Sequence, residues 1–326
     1  MQARVRFMRN LLIGSALIFT GMAASAQSYP AKPVRLVVPF AAGGPADAIA
    51  RVVGEKLSAM WGQALVVENR GGAAGNIGAA AVAKSAPDGY TLLINATTHV
   101  INASMYTKLP YDPIRDFTPV TELASYMLVL VVHPSLPVRS VKDFVALAKA
   151  KPGQLTVANT GTGAPTHLAA ELFKIAAGID FVSVPYNGAT QANIDLLGGH
   201  VLALFNNPVN ALPQVQAGKL RALAVTGAKR LAIAPQLPTI AESGYPGFEA
   251  GTWYGVFGPA SLPKDVVAKL HDDIVAVLHM PDVQQKLSAQ GWGAIGNTPA
   301  EFAAVVKGDL DKWAKVIKAA GIRPES

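Results

Sequence analysis

The sequence predicts a two-lobed α/β protein, and three observations support this fold class. Short apolar runs alternate with helical patterns along the whole chain, which is typical of parallel sheets built from βαβ units. The chain of 326 residues is too long for one core of ordinary size, even without a leader. A break around Pro134 and Pro137, followed much later by an apolar run at residues 253–257, indicates a chain that leaves one lobe and returns to it.

The predicted first lobe comprises residues 27–128 and 255–326. Apolar runs predict strands at residues 34–38, 65–68 and 91–94. A helix with apolar residues at i, i+3 and i+4 spacing follows the first strand, and a shorter one at residues 77–83 follows the second. Two further helices at residues 264–278 and 299–320 are expected to pack on this lobe, the second through an apolar stripe of Trp313, Val316, Ile317 and Ala320.

The predicted second lobe comprises residues 129–254. The apolar run at residues 127–132 leads into it. Its expected strands and helices alternate, with strands at residues 155–158, 181–184, 201–205 and 220–225 and helices at residues 141–150, 165–176 and 190–197. Two crossings between lobes form a hinge with a cleft, and closure of such a hinge around a ligand is the ordinary motion of bilobal proteins.

The first 26 residues are predicted to be a secretory signal peptide. Three arginines lie before position 10, residues 11–20 are apolar and uncharged, and Ala24-Ser25-Ala26 forms a small-x-small cleavage site. The segment is too short for a comfortable membrane span of roughly 20 apolar residues. We expect cleavage after Ala26 and soluble export, most simply to a bacterial periplasm.

Composition excludes several classes of protein. The chain contains no cysteine, which excludes a lipoprotein anchor, disulfides and thiolate chemistry. Removal of the three leader arginines reduces the formal charge from +7 to about +4. This mild excess, without a Lys/Arg-rich run or an aromatic platform, argues against nucleic-acid binding and suits an anionic ligand.

Two turns, one in each predicted lobe, share one construction. Residues 34–47 and 155–167 each read as a buried strand, a turn of small residues and a helix that opens with Pro45 or Pro165. A helix N-terminus offers free N–H groups and the positive end of the dipole, which favour an anion. Ligand crevices in open α/β sheets lie beyond the carboxyl ends of the strands. The pair therefore predicts a binding protein that grips a small anion between its lobes.

The candidate ligand contacts are the residues of these turns and polar residues that end neighbouring strands. Glycines allow close approach of the backbone, and threonine hydroxyls either donate to the ligand or cap their helix. Asp47 would repel an anion, so we expect it to organise its loop or hold a water. The full set is Phe40, Ala41, Ala42, Gly43, Gly44, Asp47, Thr97, His99, Thr160, Gly161, Thr162, Thr166, Tyr186, Asn187, Gly188 and Asn206.

Catalytic and cofactor chemistry is not indicated. The glycine-rich residues 70–75 lack the G-x-G-x-x-G spacing and a following Walker lysine, and no G-x-S-x-G elbow occurs. His271 and His279 lie eight residues apart on one predicted helix, which is the wrong spacing for a shared metal. We expect neither a metal nor a cofactor, and no enzymatic activity.

The chain resembles the substrate-binding receptors of tripartite tricarboxylate transporters, often called Bug receptors. The likeness runs over essentially all of the mature chain, and its motifs occur in one order. They are Tyr29-Pro-Ala-Lys-Pro-Val-Arg35, Val38-Pro-Phe-Ala-Ala-Gly-Gly-Pro-Ala-Asp47, Glu68-Asn-Arg-Gly-Gly-Ala-Ala-Gly-Asn-Ile-Gly78, Pro87-Asp-Gly-Tyr-Thr91, Leu109-Pro-Tyr-Asp112, Val184-Pro-Tyr186, Asp195-Leu-Leu-Gly-Gly199 and Trp253-Tyr-Gly255.

The resemblance implies a type II periplasmic-binding-protein fold, with two α/β lobes and a ligand cleft at the hinge. It implies a small organic carboxylate held by backbone amides, hydroxyls and waters, and delivery to a membrane permease of one large and one small subunit. By position, residues 40–47 and 159–167 correspond to the two carboxylate loops of the family. We expect a monomer.

Two positions depart from the pattern of the family. Asn187 stands where members often have lysine, and Asn206 stands where many have aspartate. The departures make an amino-acid ligand less expected and remove one partner for a second carboxylate. Citrate, short dicarboxylates and aromatic carboxylates all remain open as ligands. An extracytoplasmic sensor subunit that docks on a signalling partner is the alternative function.

Overall fold

The computed structural model describes residues 29–323. The predicted signal peptide and its cleavage site lie outside these residues. From Lys32 onward the described chain forms a single unit that contains two sheets. No helix within residues 29–323 combines the length and the apolar character that crossing a membrane requires.

Eleven strands form in the described part of the chain. In order they are β1 (Val34–Val38), β2 (Leu65–Asn69), β3 (Thr91–Ala96), β4 (Phe117–Met127), β5 (Val129–Val132), β6 (Thr156–Asn159), β7 (Val182–Pro185), β8 (Ala203–Asn206), β9 (Arg221–Val225), β10 (Gly251–Pro259) and β11 (Gly293–Ala294).

The same residues form ten α-helices and one 3₁₀ turn at Ala73–Gly75. The helices are α1 (Pro45–Trp61), α2 (Asn76–Ala83), α3 (Thr98–Met105), α4 (Val141–Ala150), α5 (Pro165–Ala177), α6 (Ala189–Leu197), α7 (Pro208–Gln216), α8 (Lys264–Leu278), α9 (Pro281–Ser288) and α10 (Pro299–Ala319).

The first sheet has the strand order β11-β4-β10-β3-β1-β2, and the second has the order β7-β6-β8-β5-β9. In the first sheet β1 is parallel to β2 and β3, whereas β10 is antiparallel to both β3 and β4. In the second sheet β6 is parallel to β7 and β8, whereas β5 is antiparallel to β8 and β9. The predicted fold class, a two-lobed α/β protein, is therefore confirmed.

The chain crosses between the sheets twice, and Thr226 joins the two crossings. Only Leu128 separates β4 from β5. Buried Thr226 accepts a hydrogen bond from Leu128 N (2.8 Å) through its hydroxyl and donates its own N–H to Leu128 O (2.9 Å). Its carbonyl accepts from Ala250 N (2.9 Å), just before the chain returns. Because β10 begins at Gly251 and pairs only in the first sheet, the predicted lobe boundary after residue 254 falls inside that strand.

One large cluster of buried side chains extends through both lobes. It includes Leu93 of the first sheet, Leu130 of the second and the aromatic rings of Phe173 and Trp253. Helix α10 packs on α3 and β4 of the first lobe and on α5 of the second. The predicted stripe is buried at Trp313, Val316 and Ile317 and half-buried at Ala320. Helix α10 thus links the two lobes as well as covering the first.

Five strands or helices are not predicted from the sequence, namely α3, α7, α9, β11 and most of β4. Helix α3 is rich in β-branched residues, which are weak helix formers, and it is stabilised instead by buried Val100, Ile101 and Met105. Helix α7 carries Pro213 in its interior, and β4 carries Pro119. Because proline is unfavourable inside a helix or a strand, the local sequence does not predict these two elements. Packing against the rest of the protein stabilises them instead.

Candidate functional site

The loops that follow β1 and β6 leave their sheets at edges that meet at the crossing. Strands β1, β3 and β4 run in one direction, because β10 is antiparallel to both β3 and β4. Their carboxyl ends share the edge from which Leu128 leads out. In the second sheet Val129, which starts β5, pairs with Asn206, which ends β8. The carboxyl ends of β6, β7 and β8 therefore lie where the chain enters from the first lobe, as a shared cleft requires.

A contact with α3 places the second loop against the first lobe. A Cβ atom built on Gly163 would lie 2.9 Å from Cε of Met105, the last residue of α3. Helix α3 directly follows β3, so the loop after β6 approaches the same edge of the first sheet that bears the loop after β1. Met105 was not among the predicted site residues, because an apolar side chain at a helix end is more often core.

A chain of polar contacts braces the first loop. Gly43, at φ +80°, donates its N–H to Oδ2 of Asp47 (2.9 Å), and Arg51 Nε donates to the same oxygen (3.0 Å). The Arg51 guanidinium also donates to Asn69 Oδ1 (3.3 Å), and Asn69 Nδ2 donates to Phe40 O (3.3 Å). Both ends of the turn are therefore held by side chains of α1 and β2.

Asp47 is the centre of this brace. Its side chain is buried, and the hydrogen bond from Arg51, followed in importance by that from Gly43, lowers the pKa of Asp47 to about 2 against the opposing effect of burial. The carboxylate is therefore ionised throughout the neutral range. This geometry accords with an organising role for Asp47 in its own loop, and direct contact with a ligand stays a prediction.

The free N–H groups of the first loop are not those of its glycines. Gly43 N is bound to Asp47, and Gly44 N donates to Ala41 O (3.4 Å). Among residues 29–323, no acceptor is bound to the amides of exposed Ala41 and Ala42. The first turn of α1 adds the N–H groups of Ala46 and Asp47, which have no partner within a helix. These are the donors that an anion would meet.

The second loop is braced in a similar manner. Gly163, at φ +75°, donates its N–H to Nδ1 of His167 (3.1 Å), and Gly161 N donates to Asn159 Oδ1 (3.0 Å). Thr162 between them is exposed, and its amide has no acceptor in the described part of the chain. Each loop therefore joins a glycine at positive φ to an acceptor side chain four residues later, across the proline that starts the helix.

Thr160 and Thr166 form a hydroxyl pair. Thr166 Oγ1 accepts the N–H of Thr160 (2.9 Å) and lies 2.9 Å from Thr160 Oγ1. One hydroxyl donates to the other, so one proton of the pair is left to donate elsewhere. Thr160 is half-buried and Thr166 is buried. Thr166 thus caps the turn, and the pair still offers one hydroxyl donor to a ligand.

Residues 186–188 form a loop beside the second turn. Tyr186 donates its N–H to Asn159 O (3.0 Å) and its hydroxyl to Asp195 Oδ2 (2.8 Å). Burial, reinforced by Asp195, raises the pKa of Tyr186 to about 12. Asn187 is exposed, and Gly188 (φ +103°) precedes α6. Tyr186 is therefore a neutral, anchored hydroxyl, and Asn187 is the freely accessible member of this loop.

Three of the predicted contacts, His99, Thr97 and Asn206, are buried side chains with hydrogen-bond partners inside the protein. His99 is fully buried, stacked on Phe257, with Nε2 2.9 Å from Pro113 O and Nδ1 3.1 Å from Asn95 Nδ2. Burial lowers its pKa to about 4, so it is a neutral core residue.

The other two residues are buried as well, and their contact with a ligand stays a prediction. Thr97 is buried, and its hydroxyl accepts from Trp253 N (3.0 Å) across the returning strand. Asn206 is buried and donates to Asn193 Oδ1 (2.6 Å). Thr98, which follows the same strand, has its Oγ1 buried without a hydrogen-bond partner among the described residues.

A separate cavity of about 520 Å³ lies at the crossings. Tyr126, Met127 and Gly227 line it on one side, with Glu122 and Asp309 among its acidic groups. Trp253 Nε1 donates to Asp309 (2.9 Å), so this carboxylate is already bound. Residues 29–323 contain no cluster of three or more histidine or acidic side chains that could hold a metal ion.

Glu122 makes the stability of the hinge depend on pH. Burial, with repulsion from Asp309 and Glu249, raises the pKa of Glu122 to about 7 against a hydrogen bond from Asn297. The unfolded chain ionises near 4.5, so folding stability falls as pH rises from 4.5 to 7.

We expect Glu122→Gln to be about 3 kcal/mol more stable than the wild type at pH 8 and equal to it at pH 4. Urea unfolding at the two pH values measures the difference. The exposed Glu249→Gln variant removes only the weaker of the two repelling carboxylates, so we expect a much smaller gain there, and an equal gain would contradict the assignment to Glu122.

Several known proteins are similar to this chain over most of its length. A model described as tripartite tricarboxylate transporter family receptor matches residues 49–322. The UPF0065 protein in the tcbD-tcbE intergenic region of Pseudomonas sp. (strain P51) is 38% identical, over 95% of this chain and 93% of that protein. Protein BugT of Bordetella pertussis is 36% identical, over 96% of this chain and 97% of that protein.

Solved structures share the fold. The R. palustris protein Rpa4515 with adipate has a TM-score of 0.74 and 38% identity, over 91% of this chain and 100% of that chain. The periplasmic binding protein BugD has a TM-score of 0.71 and 36% identity, with 91% and 100% covered. MatC from Rhodopseudomonas palustris with bound malate has a TM-score of 0.70 and 32% identity, with 89% and 100% covered.

Proposed function

Because this chain belongs to the tripartite tricarboxylate transporter receptor family, we propose that it is a periplasmic receptor for a small organic carboxylate. It captures the carboxylate between its lobes and delivers it to a membrane permease of one large and one small subunit. It acts as a monomer and catalyses no reaction on its ligand. The leader directs export and is cleaved after Ala26.

One observation carries this proposal. Two turns with unbound N–H groups lie at sheet edges that meet at the crossing, one turn in each lobe. Ala41 and Ala42 supply donors from the first lobe, and the Thr162 amide with one hydroxyl of the Thr160–Thr166 pair supplies them from the second. Such donors recognise a carboxylate group and little else. Adipate and malate in two relatives favour a dicarboxylate within that class.

Hydrogen bonds alone are sufficient for useful affinity. Each one to a charged group contributes roughly 1.5–3 kcal/mol. Four or five of them, divided between the lobes, offset desolvation and leave micromolar binding, about −8 kcal/mol. Arg51, the nearest cation of the first loop, is already paired with Asp47. The binding energy is therefore assigned to amides and hydroxyls and not to a cationic clamp.

The test is a thermal-shift panel on the mature protein after unfolding and refolding to remove carried-over ligand. We expect adipate, malate or another mono- or dicarboxylate to raise the Tm by about 5 °C at 100 times its Kd. The neutral diamide of adipate is the matched control, because it keeps the shape and lacks the charge. No shift with any carboxylate at millimolar concentration would contradict the proposal.

A further inference from the structure

His167 occupies in the second loop the place that Asp47 occupies in the first. In each loop a glycine N–H is bound by the side chain four residues later: Gly43 by Asp47 at 2.9 Å and Gly163 by His167 Nδ1 at 3.1 Å. Both acceptors are buried and lie in the first turn of a long helix. The two lobes therefore hold corresponding loops by the same kind of hydrogen bond, with a carboxylate as the acceptor in the first lobe and an imidazole in the second.

The two groups differ in how protons affect them. A carboxylate with a pKa of about 2 accepts the glycine N–H over the whole neutral and mildly acidic range. An imidazole accepts through Nδ1 only while it is neutral, because both ring nitrogens of the cation are donors. A protonated His167 would set an N–H of its ring against the N–H of Gly163, and the turn could not keep its geometry.

We propose that His167 is a positioning residue of the second ligand loop, and that this loop binds its carboxylate only while the imidazole is neutral. The inference rests on the proposed function of the cleft. Its tautomer follows from the geometry: Nδ1 accepts from Gly163, so the proton is on Nε2, which lies 3.7 Å from Glu171 Oε1. Burial lowers the pKa of His167, which keeps it neutral at pH 7.

The surroundings of His167 contain few charges. Glu171 is the titratable group beside it, and burial raises the pKa of that carboxyl. Lys174 and Asp180, paired at 2.6 Å, act on Glu171 from the same lobe. Strands β6, β7, β8 and β10, which pack on α5, carry no acidic or basic residue except the phenol of Tyr254.

Helix α10 and the end of α3 complete the environment of α5. The charged residues of α10 that approach α5, namely Asp311, Lys312 and Lys315, lie with Leu172 and Ile175, one and two turns beyond His167. Met105 at the end of α3 is neutral. A loss of ligand affinity at this loop on acidification is therefore assigned to protonation of His167. Glu171 is the neighbouring titratable group whose effect the experiment has to separate from that of His167.

The experiment titrates adipate into the wild type, His167→Asn and His167→Ala between pH 8 and pH 5. Asn keeps an acceptor at the position of Nδ1 and does not titrate, whereas Ala removes the acceptor. We expect wild-type affinity to fall about tenfold on acidification, and His167→Ala to bind about tenfold more weakly than the wild type at pH 8. We expect His167→Asn to bind more tightly than His167→Ala at pH 8. We also expect His167→Asn to lack the loss of affinity at low pH (the acid limb of the pH profile) that the wild type shows.

Protonation of adipate itself affects all three proteins equally, so the difference between wild type and His167→Asn isolates the side chain. Glu171→Gln removes the neighbouring carboxyl and is expected to keep the acid limb. Identical pH profiles for wild type and His167→Asn, or wild-type affinity that rises on acidification, would overturn the inference.

A second readout needs no ligand and separates this inference from the proposed function. In ¹H–¹⁵N spectra of the ligand-free protein, we expect the Gly163 amide to shift with the same midpoint as the His167 ring. The Gly43 amide, held by Asp47, is the internal control and is expected not to follow that midpoint. A Gly163 amide that ignores the titration of His167 would overturn the inference even if no carboxylate is found to bind.

Discussion

Gly43→Val is expected to weaken adipate binding by about 100-fold, or about 2.7 kcal/mol, which corresponds to the loss of one or two hydrogen bonds to a charged group. Gly43 has φ +80°, where a side chain costs roughly 1–2 kcal/mol and a β-branched one is a genuine outlier. A Cβ at this position meets no atom within 4 Å, so the new side chain projects into open space beside the turn. The backbone must rearrange, and the donors of Ala41 and Ala42 move with it.

Gly62→Val is the matched control for that change. Gly62 ends α1 at φ +61° and also has open space around its Cβ position. Both variants are expected to lose a similar amount of stability in urea unfolding, and only Gly43→Val is expected to lose affinity in calorimetry. Equal affinity in the two variants would place the ligand away from the first loop.

Asp47→Asn is expected to lower the free energy of unfolding by about 2 kcal/mol at pH 7. The folded pKa of Asp47 is depressed to about 2, below its unfolded value of 3.8, so its contribution is present above pH 3.8 and is lost as pH falls towards 2. The difference between wild type and variant should therefore shrink over that window. Urea unfolding at pH 7, 4 and 2.5 measures it.

Asp143→Asn provides the comparison, because Asp143 also lies in the first turn of its helix but is exposed. Its substitution is expected to have a much smaller effect at every pH. A constant difference between Asp47→Asn and wild type from pH 7 to 2.5 would show that the ion pair with Arg51 is not the source of the stability.

The strands, the lobes and the two turns follow from local patterns. Val34–Val38 is a short apolar run, and Pro45 and Pro165 mark helix starts, so these elements are predictable from a few residues each. Helix α3 is not predictable in this way, because its β-branched residues are weak helix formers. The helix forms because it packs on α10, which is distant in the sequence. The start of β10 at Gly251 also depends on long-range pairing, because its first residues pair with the end of β4.

Within the candidate site, the positions of the loops are predictable from the sequence. Which polar groups are free and which are already hydrogen-bonded is not. Gly43 and Gly163 are expected at turns, yet which N–H groups they leave free depends on contacts with Asp47 and His167. His99 follows a strand at the correct edge, but its ring is turned into a core of aromatic side chains. Sequence spacing gives the position of a residue along an edge and not the direction of its side chain.

The joint at Thr226 limits how the molecule can move. Since one buried threonine bonds to Leu128 and to Ala250, it holds the two connecting segments side by side, so a rotation of one half against the other has to bend both segments together. The distance between two fluorescent dyes, one on each half, would report such a rotation. The absence of native thiols means that two introduced cysteines, one on each half, would carry the dyes without background labelling. The architecture is thus suited to an optical sensor whose output follows occupancy.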